Sequence, residues 1–287
     1  PYTTLFRSNL KLFFRNRAGV FFSLLGALIS FGLFIIFLKS NMLDSWKQLQ
    51  HPARVLDLWV IGGTLAVASI TTTLSALSRM VSDLEYRVFD DLILTGLSRL
   101  KIRLSYVLAA TIIGTLLQIA LFLIMVSYFS WVDGISIPGY ITFQVLIVTI
   151  LASFSASVLN FILVYRMKNI DTVGKFSSIV GAASGFLVGI YIPIGVLPTF
   201  AQNLVKLTPG AYVAAIYRQL LMHDILKNVQ PNILHNLQKT LGIGINLNGN
   251  LTTKLQNFAI VTGVTVILLI IILITNKYDQ NKSVSTE

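Results

Sequence analysis

The chain has no cysteine. Disulfides, thiolate catalysis and cysteine-held metals are therefore excluded. It is also poor in charge: only 11% of its 287 residues are Asp, Glu, Lys or Arg, against about 25% in soluble domains. Histidine is scarce. His51, His223 and His235 have no second histidine or carboxylate at ligand spacing, so no metal site is expected. No G-x-x-x-x-G-K-[ST] phosphate loop occurs, so any ATP hydrolysis must come from another polypeptide. No nucleophile–base pair or carboxylate dyad stands out, and the chain is expected not to be an enzyme. What is abundant is apolar: 55% of residues are hydrophobic, and the mean hydropathy is +0.77. A water-soluble fold cannot cover that much apolar surface, and the bilayer is its natural solvent.

The first eight residues, PYTTLFRS, match one reading frame of a widely used short-read sequencing adapter. We expect residues 1–8 to be adapter-derived and residues 9–287 to form one transmembrane domain. Six runs are long and apolar enough to cross a bilayer: Ala18–Leu38, Leu58–Ser78, Leu104–Phe129, Tyr140–Tyr165, Phe176–Leu197 and Phe258–Thr275. An all-α integral membrane fold with six transmembrane helices follows.

The net charge of +11 is distributed as a topology signal. Lys11, Arg15 and Arg17 precede the first run. Arg79, Arg87, Arg99, Lys101 and Arg103 lie between the second and third, Arg166, Lys168 and Lys175 between the fourth and fifth, and Lys277 and Lys282 in the tail. The other side has Lys39, Lys47 and Arg54 in one loop and no Lys or Arg in Ser130–Gly139. Both termini are then cytoplasmic by the positive-inside rule, in a bacterial cytoplasmic membrane. A nucleic-acid partner is not needed to explain the charge.

Four of the eleven acidic residues, Asp83, Glu85, Asp90 and Asp91, fall close together in the second basic loop. Asp83, Arg87 and Asp91 are spaced i, i+4, i+8, which suits a helix with alternating charge pairs, and Leu84, Val88 and Leu92 form a neighbouring apolar stripe. Such a helix can dock a soluble partner; the same pattern also suits an ordinary solvated loop. The six apolar cores contain no ionisable side chain, which argues that driving energy enters from outside the membrane domain. Their neutral polar residues, Ser69, Thr72, Thr73 and Asn160 among them, either line a path for an amphipathic substrate or bond helix to helix. Ser177, Gly181, Gly185 and Gly189 recur every fourth residue and predict close helix packing, against another span or a second copy. Asn9–Arg17 puts Leu10, Phe13 and Phe14 on one face, as in a helix lying in the interface. The external segment, about residues 196–257, contains Thr208-Pro209, a helix start with Thr as cap, which predicts a short helix over Pro209–Met222 dipping into the outer leaflet.

Three stretches in this order resemble ABC-2 type transporter permeases: NLKLFFRNRAGVFFSLL, LEYRVFDDLILTGLSRLKIR and YIPIGVLPTFAQNLVKLTPGAYVAAIYRQLLM. The resemblance covers the chain from Asn9 onward. It implies an interfacial helix at about Asn9–Arg17, a cytoplasmic coupling helix at about Asp83–Asp91 and short re-entrant helices from about Pro198. It implies two partners: an ATP-binding cassette ATPase subunit, and a second permease copy or paralogue meeting near the second and fifth spans. No cofactor is expected on this chain; ATP and Mg2+ belong to the ATPase. Many relatives have a Glu-Arg pair followed by Gly-Thr in the coupling loop, where this chain has Glu85-Tyr86-Arg87 and then Phe89-Asp90. The expected activity is export of a hydrophobic or amphipathic substrate such as a drug, lipid-like molecule or peptide. The alternatives are an ion-coupled or passive carrier and a non-transporting immunity or sensor subunit.

Overall fold

The computed structural model describes residues 2–227, 229–247 and 249–284, without the side chains of Tyr2, Thr3 and residues 277–284. Pro1 and the side chains of Lys277 and Lys282, which enter the expectations above, lie outside that description. The helices are α1 (Tyr2–Arg15), α2 (Arg17–Leu33), α3 (Lys39–Ser45), α4 (Pro52–Glu85), α5 (Val88–Leu94), α6 (Arg99–Asp133), α7 (Gly139–Val164) and α8 (Ile170–Leu187). They continue as α9 (Thr199–Lys206), α10 (Pro209–Leu221), α11 (His223–Leu226), α12 (Pro231–Thr240) and α13 (Lys254–Val284). A π-turn over Phe34–Leu38 joins α2 to α3, and one small hairpin pairs β1 (Asn246–Leu247) with β2 (Asn250–Leu251). Helix α1 runs through the octapeptide and packs on α6, with Leu5 and Asn9 facing inward.

Five stretches are long and apolar enough to cross a membrane: Arg17–Ser45, Pro52–Glu85, Arg99–Asp133, Gly139–Val164 and Lys254–Asn276. They match the first, second, third, fourth and sixth predicted runs. The fifth differs. The chain is helical from Ile170, earlier than Phe176, and stops at Leu187, well before Leu197. Asn169 starts α8 by accepting the N–H groups of Asp171 (2.7 Å) and Thr172 (3.3 Å). Gly189, at φ +69°, ends it, and the Ile190 N–H turns back to the Gly185 carbonyl. Pro193 and Pro198 therefore do not break this helix; they precede a 3-10 turn at Ile194–Val196 and the start of α9.

Helix α4 is the centre of the bundle. Within its apolar window 83% is buried, against 22% for Arg17–Ser45 and 17% for Lys254–Asn276, which present most of their surface outward. α2, α6, α7, α8 and α10 all pack on it. Three of its hydroxyls bond back within the helix: Ser69 donates to Ala66, Thr72 to Ala68 and Thr73 to Ser69. Without water to take their place, those bonds let a polar stretch sit inside the protein.

The long segment before α13 is not a loop over the surface. α10 is buried along most of its length and packs on α4, α7 and α13. Pro209 does occupy its first turn, but the Thr208 hydroxyl points back to the Val205 carbonyl and does not cap it. Arg218, on α10, is fully buried. Its guanidinium lies over the Trp59 ring at 4.9 Å and is directed at the carbonyls of Gly189 (3.2 Å), Gly242 (3.4 Å) and Trp59 (3.5 Å). A Cβ on Gly63 would stand 2.8 Å from the guanidinium, so the Gly62-Gly63 pair makes room for it. Trp59 Nε1 donates to the Leu241 carbonyl at 2.7 Å. Arg218 thus fastens α4, the end of α8 and the turn after α12 together.

At the same end, Lys39 bridges Asp57 at 2.8 Å and Asp133 at 2.5 Å, tying α3, α4 and α6. Asp57 is fully buried, one residue outside the predicted core Leu58–Ser78. The cores are free of ionisable groups as read, but the helices extend past them and carry buried charge at their ends. Arg218→Ala is expected to strand three buried carbonyls at about 1–3 kcal/mol each before relaxation. The detergent-purified protein should melt at least about 6 °C lower. A shift below about 2 °C would contradict the fastening role.

Candidate functional site: an exposed turn, a groove beside it and a buried polar seam

Helix α4 ends at the basic end of the bundle because Arg87 adopts a left-handed conformation (φ 58°, ψ 11°). A single helix through Asp83, Arg87 and Asp91 is therefore not formed, and the i, i+4, i+8 pairs do not exist. Asp83 stays on α4 and is buried. It accepts hydrogen bonds from Tyr106 Oη at 2.6 Å and from Arg79 Nη2 at 2.9 Å. It is an internal anchor, absent from the exposed surface.

What the turn exposes is Glu85, Tyr86, Arg87, Asp90, Asp91 and Leu94. Buried Phe89 pins α5 to the bundle, and Leu92 and Ile93 pack beside it. Asp90 and Asp91 lie in the first turn of α5, where their charge complements the helix dipole. Leu94 is 85% exposed and Tyr86 71%, an unusual apolar presence on a charged tip. Glu85 reaches sideways: its carboxylate accepts the Ile170 N–H at 2.8 Å, the first residue of α8. The turn is thus hydrogen-bonded to the helix it adjoins.

A groove of about 1080 Å³ runs between α2, α4 and α8. Ser177 and Gly181 line it with Gly26, Thr71 and Ser75, and a Cβ on Gly181 would meet nothing within 4 Å. Two members of the predicted small-residue line do other work. A Cβ on Gly185 would sit 2.1 Å from the Tyr191 ring, so Gly185 receives that ring. Gly189 lies beyond the helix as its left-handed terminator.

On the far side of α8 is a smaller, mostly apolar cavity of about 310 Å³, lined in part by Ser69 and Asn160. Thr72 and Thr73 do not line it. Thr73 packs on Gly114, where a Cβ would come within 2.6 Å of its methyl, and its hydroxyl accepts from Asn160 Nδ2 at 2.9 Å. Asn160 also donates to the Ile70 carbonyl at 2.9 Å. Gln118 donates to Ser153 at 2.6 Å and accepts from Tyr217, which also bonds Thr149. These bonds knit α4, α6, α7 and α10, so most of the interior polar atoms are taken up in helix packing.

Reading the sequence by apolar runs missed Arg218, Tyr217 and the Lys39–Asp57–Asp133 cluster. One hint was present: a lone arginine in the otherwise apolar AYVAAIYRQLLM. Among the described residues no group of three or more His, Cys, Asp or Glu is placed to hold a metal.

A bundle of long apolar helices around a buried polar seam, with an exposed charged turn at its basic end, marks a multi-pass membrane protein. A family model for the ABC-2 type transporter matches residues 2–222, more than half of the chain, and the chain belongs to that family. It is a membrane permease of an ABC-type transporter; such permeases are generally non-catalytic and work with an ATP-binding subunit. Comparison with curated protein sequences finds no match.

The two kinds of acidic residue should separate by stability. Asp83→Ala strands Tyr106 and Arg79 and should cost about 2–3 kcal/mol. Asp90→Asn with Asp91→Asn removes only exposed charge at a helix start and should cost under about 1 kcal/mol. Thermal melts of the purified variants would check this, and equal losses would contradict the placement.

Proposed function

We propose that the chain is the membrane subunit of an ABC exporter whose separate ATPase docks on the Glu85–Leu94 turn. The observation that carries this reading is the turn itself: an exposed acidic and apolar tip, anchored by Phe89 and bonded through Glu85 to α8. A partner that pushes on the tip pushes on α8, beside the groove of about 1080 Å³. Charged tips with an apolar centre suit specific protein contacts, with the charges setting encounter and register.

In this reading α8 is the fifth of six spans. Its 18 residues extend about 27 Å, close to the hydrocarbon thickness. The basic end faces the cytoplasm with both termini, following the positive-inside rule, and α1 lies in the interface there. Two copies, or this chain and a paralogue, face one another across the α2–α4–α8 side, so that the groove becomes part of a shared path. ATP and Mg2+ are bound by the ATPase alone. A hydrophobic or amphipathic cargo, such as a drug, lipid-like molecule or peptide, suits a groove whose margin includes Phe22, Ile29, Leu33 and Phe186.

The test is co-expression with the ATPase encoded nearest the gene. Asp90→Lys with Asp91→Lys, and separately Leu94→Glu, should reduce co-purified ATPase at least about tenfold, equivalent to about 1.4 kcal/mol of binding. Asp44→Lys, at the other end, should leave it unchanged. Undiminished co-purification in the turn variants would remove the turn from the interface.

A further inference from the structure

We propose that the basic end of the groove carries a site for a phospholipid headgroup, with an acyl chain of the same lipid lying in the groove. Beneath α1 is a second cavity, of about 300 Å³, enclosed by α1, the start of α2, the last turns of α4, the first half of α6 and Ile170. Its polar lining is Asn9, Asn16, Ser75, Ser78, Arg79, Ser82 and Tyr106, and no acidic side chain lines it. Leu12, Phe13 and Ile113 supply an apolar wall. The site is therefore donor-rich on one side and greasy on the other, which is the chemistry of an amphiphile with an anionic head.

Arg79 is the cation in it. The Asp83 carboxylate holds one end of the guanidinium at 2.9 Å, and Tyr106 occupies the other oxygen of Asp83. No other hydrogen bond engages Arg79 among the described residues, and its side chain is 43% exposed. The planar group is thus oriented by one carboxylate while its remaining N–H groups stay free, as bidentate recognition of a phosphate requires. The Ser82 hydroxyl is likewise without a partner among the described residues. Arg15 and Arg17 flank the lining residue Asn16 in the chain, in the basic segment where anionic headgroups are attracted.

Depth and continuity point to a lipid over a soluble anion. The lining residues Gly19, Ser78, Arg79 and Tyr106 sit within two residues of the apolar limits Ala18, Ser78 and Leu104, three spans that end at one level. That level is where headgroups lie. Ser75, Ser78 and Ile170 line both this cavity and the groove of about 1080 Å³, so a head in the first leads directly into the second. The assignment rests on the groove being membrane-embedded, as proposed above, and does not require the ATPase.

Native mass spectrometry of the full chain in neutral detergent, without any ATPase, tests it. The probes are phosphatidylglycerol, a diacylglycerol with the same chains and inorganic phosphate. Phosphatidylglycerol should be retained, and its occupancy should fall at least about fivefold in Arg79→Gln and in Ser78→Leu, which fills the cavity without removing charge. Lys168→Gln, which removes an exposed charge from the same end, should change it little. Diacylglycerol retained as well as phosphatidylglycerol would show that no headgroup is read. An equal fall in Lys168→Gln would reduce the effect to general surface attraction. Displacement of the lipid by an equal concentration of inorganic phosphate would make it a free-anion site. Any of these three results overturns the proposal and leaves ATPase docking standing.

Discussion

The constraint on which the rest depends is that α4, the most polar of the long helices at its centre, is for most of its length shut away from both water and lipid. In hydrocarbon an unpaired donor or acceptor has no solvent to turn to. The structure meets this in two ways for most of the helix, although the Thr64 and Thr71 hydroxyls have no partner among the described residues. Within α4 the hydroxyls of Ser69, Thr72 and Thr73 bond back to their own helix. Across it, side chains of neighbouring helices, Asn160 and Arg218, reach carbonyls on α4. The helices packed on α4 are arranged by what it must bury, and glycines appear where the approach is closest, at Gly62, Gly63 and Gly114.

The two ends of the bundle are built differently. The end opposite the basic loops is locked: Lys39 joins three helices, and Arg218 with Trp59 holds the segment between α8 and α13 against α4. The exposed Asp224 beyond it is kept well below the usual carboxylate range by Lys227 and Tyr140. The basic end is looser in kind. α5 is one short helix held mainly by Phe89, and the turn before it is tied to α8 by a single hydrogen bond, which the Ile170 N–H donates to Glu85 at the end of α4. α8 itself has a cavity on either side.

Apolar run length located five of the long helices, because a span's length is set by bilayer thickness and leaves a plain mark in composition. The α8 region was misjudged at both ends: Asp171 and Lys175 keep its first six residues out of an apolar run, while YIPIGVLP beyond it is as apolar as a span and only the left-handed Gly189 marks the stop. The turn after α4 was read as one helix because Asp83, Arg87 and Asp91 have helical spacing; nothing in the spacing reports that Arg87 takes a positive φ. The buried charges were invisible for a further reason. Each lies just outside an apolar core or on α10, in a segment read as external, so burial came from tertiary packing. The small-residue line was legible as a pattern, but its four members divide among a groove, an aromatic contact and a helix stop.

The most direct test of the account uses the absence of cysteine. Leu94→Cys gives the chain a single thiol at the tip of the exposed turn. A membrane-impermeant maleimide should label it in inverted membrane vesicles and not in right-side-out ones, and added ATPase subunit should protect it. Labelling from the outside, or labelling from the inside that the ATPase leaves unchanged, would contradict the claim that this turn is where the energy-supplying partner binds.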